Sequence, residues 1–202
     1  MTLGIALNMD GKSQRQLIQD WLQEICSAVR VHPTTGLIKL DKKAGANTSG
    51  CDCLKAMIDD KNHKVTIQPL TGPGQGVPGT GHTIGSYGGG YTDPVDHTGA
   101  VLRANGNVGA GSDAVVYIDT SNNANAGYDK TLQKLTGQQD IKCPMWIVLA
   151  HELTTGHARQ ALTGTWPRTN IGKLDYDKSE AMAIQSENKH RRARDMIERK
   201  AQ

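Results

Sequence analysis

Between Thr71 and Ser112 glycine and proline recur too densely for helix, in Gly72-Pro73-Gly74, Gly79-Thr80-Gly81 and Gly88-Gly89-Gly90. Glycine has the most backbone freedom to lose and proline lacks a donor, so this part of the 202-residue chain is expected to run as long turns. A loop region of about residues 71–112 inside a compact domain is functional or disordered. Disorder is the expectation here, although His82, Tyr87, Tyr91, Asp96 and His97 give the segment some chemistry. Its glycines lack the Gly-x-x-x-x-Gly-Lys-Ser/Thr spacing of a phosphate-binding loop, which argues against a nucleotide site.

Regular structure must then come from the flanks. From Ser13 to Arg30 the apolar residues Leu17, Ile18, Trp21, Leu22, Ile25, Cys26 and Val29 recur at helical intervals. Gly36 to Leu40 reads as a short strand, Cys51 to Asp60 as a helix and Lys64 to Leu70 as a second strand. Beyond the glycine-rich segment, Ala114 to Ile118 reads as a third strand that lies beside the active-site helix, and Asp119 with the Asn-rich Ser121 to Asn125 ends it in a turn. Pro144 fits the first turn of a helix through Trp146, Leu149, Ala150 and Leu153. After a loop from Gly164 to Asp177, Ser179 is expected to cap a long final helix through Ala183, Ile184, Met196 and Ile197, with Glu180 in its first turn. The expected fold class is α+β, as a single domain over residues 1–202.

Composition narrows the partners. With no Phe and 37% hydrophobic residues, the core must rely on aliphatic side chains and on Trp21, Trp146 and Trp166. The net charge of +3 is spread along the chain apart from Lys189, His190, Arg191, Arg192 and Arg194. No aromatic residues interleave with that run, so it reads as a solvated helix face and no nucleic-acid partner is expected. No stretch is long and apolar enough for a membrane span, and the first residues lack the basic, apolar and small-residue regions of a leader, so neither membrane insertion nor an export signal is expected. Cys26, Cys51, Cys53 and Cys143 are too few and too scattered for a disulfide scaffold, and Cys51-x-Cys53 is too short for a zinc knuckle. Buried thiols or a stabilising disulfide are expected.

The chemistry concentrates at Ile147 to Leu153, an apolar run that ends in His151-Glu152. In zinc peptidases His-Glu-x-x-His on a helix puts two imidazoles on one face, with the glutamate aimed at the metal-bound water. Here position 155 is Thr155 and the second histidine, His157, comes six residues after His151. On a regular helix six residues leave the two side chains about 120° apart, which is poor for one ion. A bulge or break at Thr154-Thr155-Gly156 is needed to re-aim His157.

The stretch Trp146 to Thr165, which contains LAHELTTGHARQALTGT, resembles the HELxHA...G segment of bacterial effector zinc metallopeptidases with two residues inserted before His157. Those families include type III secretion effectors and toxin domains borne on VgrG and Rhs proteins. SEAMAIQSENKHRRAR, Ser179 to Arg194, is similar to the acidic segment ending in Glu-Asn-x-x-Arg that follows the motif there. A weaker likeness lies in Gly50 to Ile58 with the strand Lys64 to Ile67. The resemblance covers about half of the chain.

It implies a zincin-like domain, with a small sheet, an active-site helix and a long C-terminal helix. His151 and His157 would ligate Zn2+, Glu152 would act on the water, and Glu180 would complete the ligand set, with Glu187 as the alternative or as the partner of Arg191. Tyr176 and His190 are candidate oxyanion donors. The implied life is that of a secreted toxin or virulence effector delivered without a signal peptide, as by type VI secretion, to act in a target cell's cytoplasm or periplasm. Its partners would be a protein or peptide substrate, with an immunity protein or secretion-machine carrier beside it. Two other readings compete: a catalytically inactive binding module of zincin ancestry, and a Cys-His cell-wall amidase using Cys51 or Cys53 with His82 or His97.

Overall fold

A computed structural model describes residues 4–8, 12–41, 49–121, 130, 133–134, 137–138, 141–154 and 156–200. Six strands are described, β1 (Gly4–Leu7), β2 (Val29–Val31), β3 (Ile38–Leu40), β4 (Lys64–Leu70), β5 (Gly90–Pro94) and β6 (Ala114–Asp119). The helices are α1 (Lys12–Ile25), α2 (Ser49–Ile58), α3 (His97–Ala100), α4 (Met145–Leu153), α5 (His157–Thr163) and α6 (Tyr176–Arg192), with a 3-10 turn at Ile84–Tyr87. The protein is mixed α/β, with a small sheet, packed helices and a long C-terminal helix.

The main sheet has the order β1-β4-β6-β5. β1, β4 and β6 are parallel, and β5 closes one edge antiparallel to β6. Parallel neighbours need a crossover, and α1 and α2 lie in the connection from β1 to β4. Pro69 sits in the central strand β4 because β1 pairs only as far as Ile67, so the missing N–H faces a side where the neighbour has ended. β2 and β3 form a separate two-stranded ribbon.

Three expectations are corrected. The first helix stops at Ile25, because Cys26 is bonded to Cys51 and the β-branched Val29 and Val31 pair with Leu40 and Ile38. The glycine-rich segment is no uninterrupted loop. Gly90-Tyr91-Thr92-Asp93-Pro94 is strand β5, whose register is set by β6 across the whole intervening connection. Proline is tolerated there because β5 is an edge strand. The C-terminal helix starts at Tyr176 and is capped by Asp175, whose side chain accepts from Lys178 N–H at 3.1 Å. Ser179 is therefore inside the helix, Glu180 is in its second turn, and the helix ends at Arg192, short of Met196 and Ile197. The Asn-rich turn at 122–125 lies outside the described residues.

One hydrophobic cluster joins Ile18 and Leu22 of α1, Ile5, Val65, Ile67, Val116 and Ile118 of the sheet, and Leu149, Ala150 and Leu153 of α4. Of the tryptophans only Trp166 is fully buried, and Trp21 and Trp146 pack partly buried against the cluster. α4 is apolar on all sides up to His151, which suits a helix enclosed by neighbours. It packs on α1, α6 and β5, so whatever its C-terminal end carries is held from several sides.

Candidate metal centre

Helix α4 stops just past Glu152. Thr154 terminates it, with its hydroxyl donating to the Ala150 carbonyl at 2.9 Å, and α5 begins afresh at His157 with Gly156 before it. The stretched spacing is accommodated by a break between two helices. Thr155 itself lies outside the described residues. His151 and His157 are brought to ring centroids 5.2 Å apart, both buried. With Glu152 they form a buried group that could hold a metal ion, their ligand atoms lying within 4.8 Å of one another.

Each imidazole is held from behind. His151 Nδ1 lies 2.9 Å from Glu187 Oε2, an acceptor, so that nitrogen carries the proton. His157 Nδ1 lies 2.6 Å from Ser179 Oγ, and that hydroxyl donates onward to Gln160 Oε1 at 2.9 Å. Because Ser179 spends its only proton on Gln160, it accepts from His157, and Nδ1 of His157 is again the donor. Trp166 stacks on the His157 ring at 5.1 Å. Both Nε2 atoms then turn to one point, 3.1 and 3.3 Å from Glu180 Oε2.

Burial opposes charge on His151, but the carboxylates of Glu180 and Glu187 outweigh it and push its pKa up to about 10. Burial likewise works against the Glu187 carboxylate, yet His151, Arg191 and Arg199 bring its pKa down to about 2. Against the same opposition His151, His157 and Arg199 hold Glu180 well below the usual carboxylate range.

The group opens into a cleft of about 680 Å³ lined also by Tyr87, Tyr91, Thr92, Asp93 and Tyr176. Glu152 faces it with Oε2 accepting from Thr92 Oγ1 at 2.6 Å, a partner supplied by β5. A side chain at Gly90 would meet Val148 Cγ1 at 2.7 Å and Glu152 Oε1 at 2.9 Å, so glycine lets the edge strand lie against α4. Tyr176 lies on the cleft wall, its hydroxyl 3.3 Å from that of Tyr91.

Several sequence expectations are revised. His190 is not among the residues lining the cleft. Its Nε2 lies 3.3 Å from Thr154 Oγ1, behind the helix break, because its position on α6 turns it from Glu180. Glu187 is fully buried behind His151, and it also accepts from Arg191 Nε at 2.6 Å. Cys51 is in the disulfide with Cys26, and burial pushes the Cys53 thiol up. Neither lines the cleft that holds His82 and His97, so the geometry separates the proposed thiol from the proposed imidazoles. Thr92, Gln160 and Arg199 carried no sequence signal, since each reaches the site through tertiary packing.

The arginines of the basic run are engaged within the chain. Arg192 pairs with Glu198 at 2.7 Å, and Arg194 pairs with Glu24 at 2.9 Å while lying over Trp146. Arg191 is fully buried and also donates to the Lys142 carbonyl at 2.7 Å. Replacing Arg191 by Met leaves Glu187 with less compensation, and we expect a loss of about 3 kcal/mol in stability. Urea unfolding tests this through a lower midpoint at unchanged slope.

Compared with known proteins, the chain matches no family model, no curated protein and no solved structure.

Proposed function

We propose that the protein is a zinc-dependent metallopeptidase of zincin-like architecture, acting as a secreted effector or toxin on a protein or peptide. The observation that carries this reading is the convergence of two imidazoles, each with Nδ1 satisfied, on one carboxylate oxygen of Glu180. Two imidazole nitrogens, whose protons a bound metal would displace, and one oxygen form a donor set that suits zinc, and three protein ligands leave a position open for water. Fixing each ring through its other nitrogen is what a metal-binding histidine requires. Glu180 is taken as the third ligand because one of its oxygens lies within 3.3 Å of both Nε2 atoms, and Glu152, a member of the same buried group whose Oε2 accepts from Thr92, is taken as the base.

Zinc bound there would polarise a carbonyl and bring the pKa of its water toward 7. The chain's own residues do the rest. Glu152 takes the proton of the attacking water and returns it to the departing amine. Tyr176 supplies a hydroxyl at the cleft wall, where it can donate to the carbonyl oxygen as negative charge develops. β5 is an edge strand that lends Gly90 and Thr92 to the cleft, which suits a substrate adding itself as an extended strand. Delivery by a secretion machine, with a carrier or immunity partner, belongs to the same proposal and is supported by the likeness of the motif.

Elemental analysis of the purified chain tests the reading. About one zinc per chain is expected, lost in His151→Ala, His157→Ala and Glu180→Ala. A wild-type protein that takes up no zinc even after reconstitution would exclude a zinc enzyme and favour a binding module built on the same helix.

A further inference from the structure

The end of the described chain returns to the centre. After α6 stops at Arg192, Asp195 adopts a positive φ of 52° and Met196 N–H donates back to the Arg191 carbonyl at 2.9 Å, which reverses the chain. Asn188 then grips the backbone of Arg199 from both sides. Its Nδ2 donates to the Arg199 carbonyl and its Oδ1 accepts from Arg199 N–H, each at 2.7 Å. Gln138 treats the neighbouring residues in the same way, donating to the Glu198 carbonyl at 3.2 Å and accepting from Lys200 N–H at 3.0 Å. These side-chain-to-backbone bonds decide where Arg199 points.

It points at the candidate ligands. The Arg199 side chain is 6% exposed, and it donates from Nη2 to Glu180 Oε1 at 2.6 Å and from Nη1 to Glu187 Oε2 at 3.4 Å. Glu180 therefore has one oxygen on a guanidinium while the other faces both Nε2 atoms. A carboxylate anchored in this way cannot swing to offer both oxygens to one ion. Glu187, the second carboxylate held by the same fork, is the one that orients His151.

We propose that Arg199 is a positioning residue of the metal centre, holding Glu180 as a one-oxygen ligand and steadying His151 through Glu187. The proposal rests on the metallopeptidase reading above. Arginine suits the task because its charge is permanent and its planar fork reaches two carboxylates at once, whereas lysine offers a point charge.

The test compares wild type, Arg199→Ala, Arg199→Lys and Arg192→Ala, the last removing the arginine at the end of α6 whose pair with Glu198 is exposed. Zinc affinity is measured by competition with a chromophoric chelator, and the cobalt-substituted proteins are compared by visible absorption. Arg199→Ala is expected to bind zinc about 10- to 100-fold more weakly, with a cobalt spectrum displaced from wild type. Arg199→Lys is expected to fall between them, and Arg192→Ala to match wild type. A tail residue that only adds stability would lower the melting temperature and leave the affinity and the spectrum unchanged. That outcome in Arg199→Ala overturns the proposal while leaving the metallopeptidase standing. If Arg199→Ala does not fold, wild-type affinity and spectrum in Arg199→Lys overturn it equally. Failure of the wild type itself to bind zinc removes both readings.

Discussion

Glu152→Gln is expected to lower peptide cleavage by about 100- to 10,000-fold while zinc content stays at about one per chain. Glutamine keeps the volume of the side chain and still accepts from Thr92 Oγ1, which lies 2.6 Å from Glu152 Oε2. It cannot take a proton from water. Turnover of a cleaved peptide, measured beside elemental analysis of the same preparation, separates the roles open to this residue. Undiminished turnover would remove Glu152 as the base. Loss of zinc together with activity would make Glu152 a ligand, since its carboxylate is part of the buried group with His151 and His157.

Gly156→Ala carries the largest expected cost in stability. The φ of Gly156 is −82°, open to any residue, so the demand for glycine comes from contact and not from backbone strain. An added Cβ would lie 1.5 Å from the His151 carbonyl oxygen, and that oxygen belongs to the backbone of the helix that carries the site. Relief requires α5 to move away from α4, which separates the two imidazoles. We expect a loss of about 4 kcal/mol in urea unfolding and, if the centre binds zinc, an affinity at least about tenfold weaker. Gly74→Ala, with open space around its Cβ, serves as the control and should change stability by less than about 0.5 kcal/mol. Matching behaviour in the two variants would show that the close approach at Gly156 does not hold the break.

The strand Lys64–Leu70 was legible to the residue, and the helix carrying His151 and Glu152 nearly so, because local periodicity and the apolar run suffice for both. The requirement for a break before His157 also followed from spacing, since helical geometry alone excludes two ligands six residues apart on one face. β5 was hidden. Glycine and proline at its ends outweigh three intervening residues locally, and only pairing with β6 makes it a strand. Ser179 looked like a helix cap by type, but the chain is capped at Asp175, which frees the Ser179 hydroxyl to hold His157.

The sequence by itself determined the chemistry available: two histidines and a glutamate at the end of an apolar helix, acidic residues on a later helix, and a spacing that no continuous helix can use. Tertiary structure decided how those groups meet. It chose Glu180 to face both rings, placed Glu187 behind His151, removed His190 from the cleft, and brought Thr92 and Arg199 to the site from distant parts of the chain. Periodicity reports which face of an element is buried, a property of neighbours in sequence. The direction of a side chain toward a shared point depends on how separate elements pack, and no local pattern encodes that.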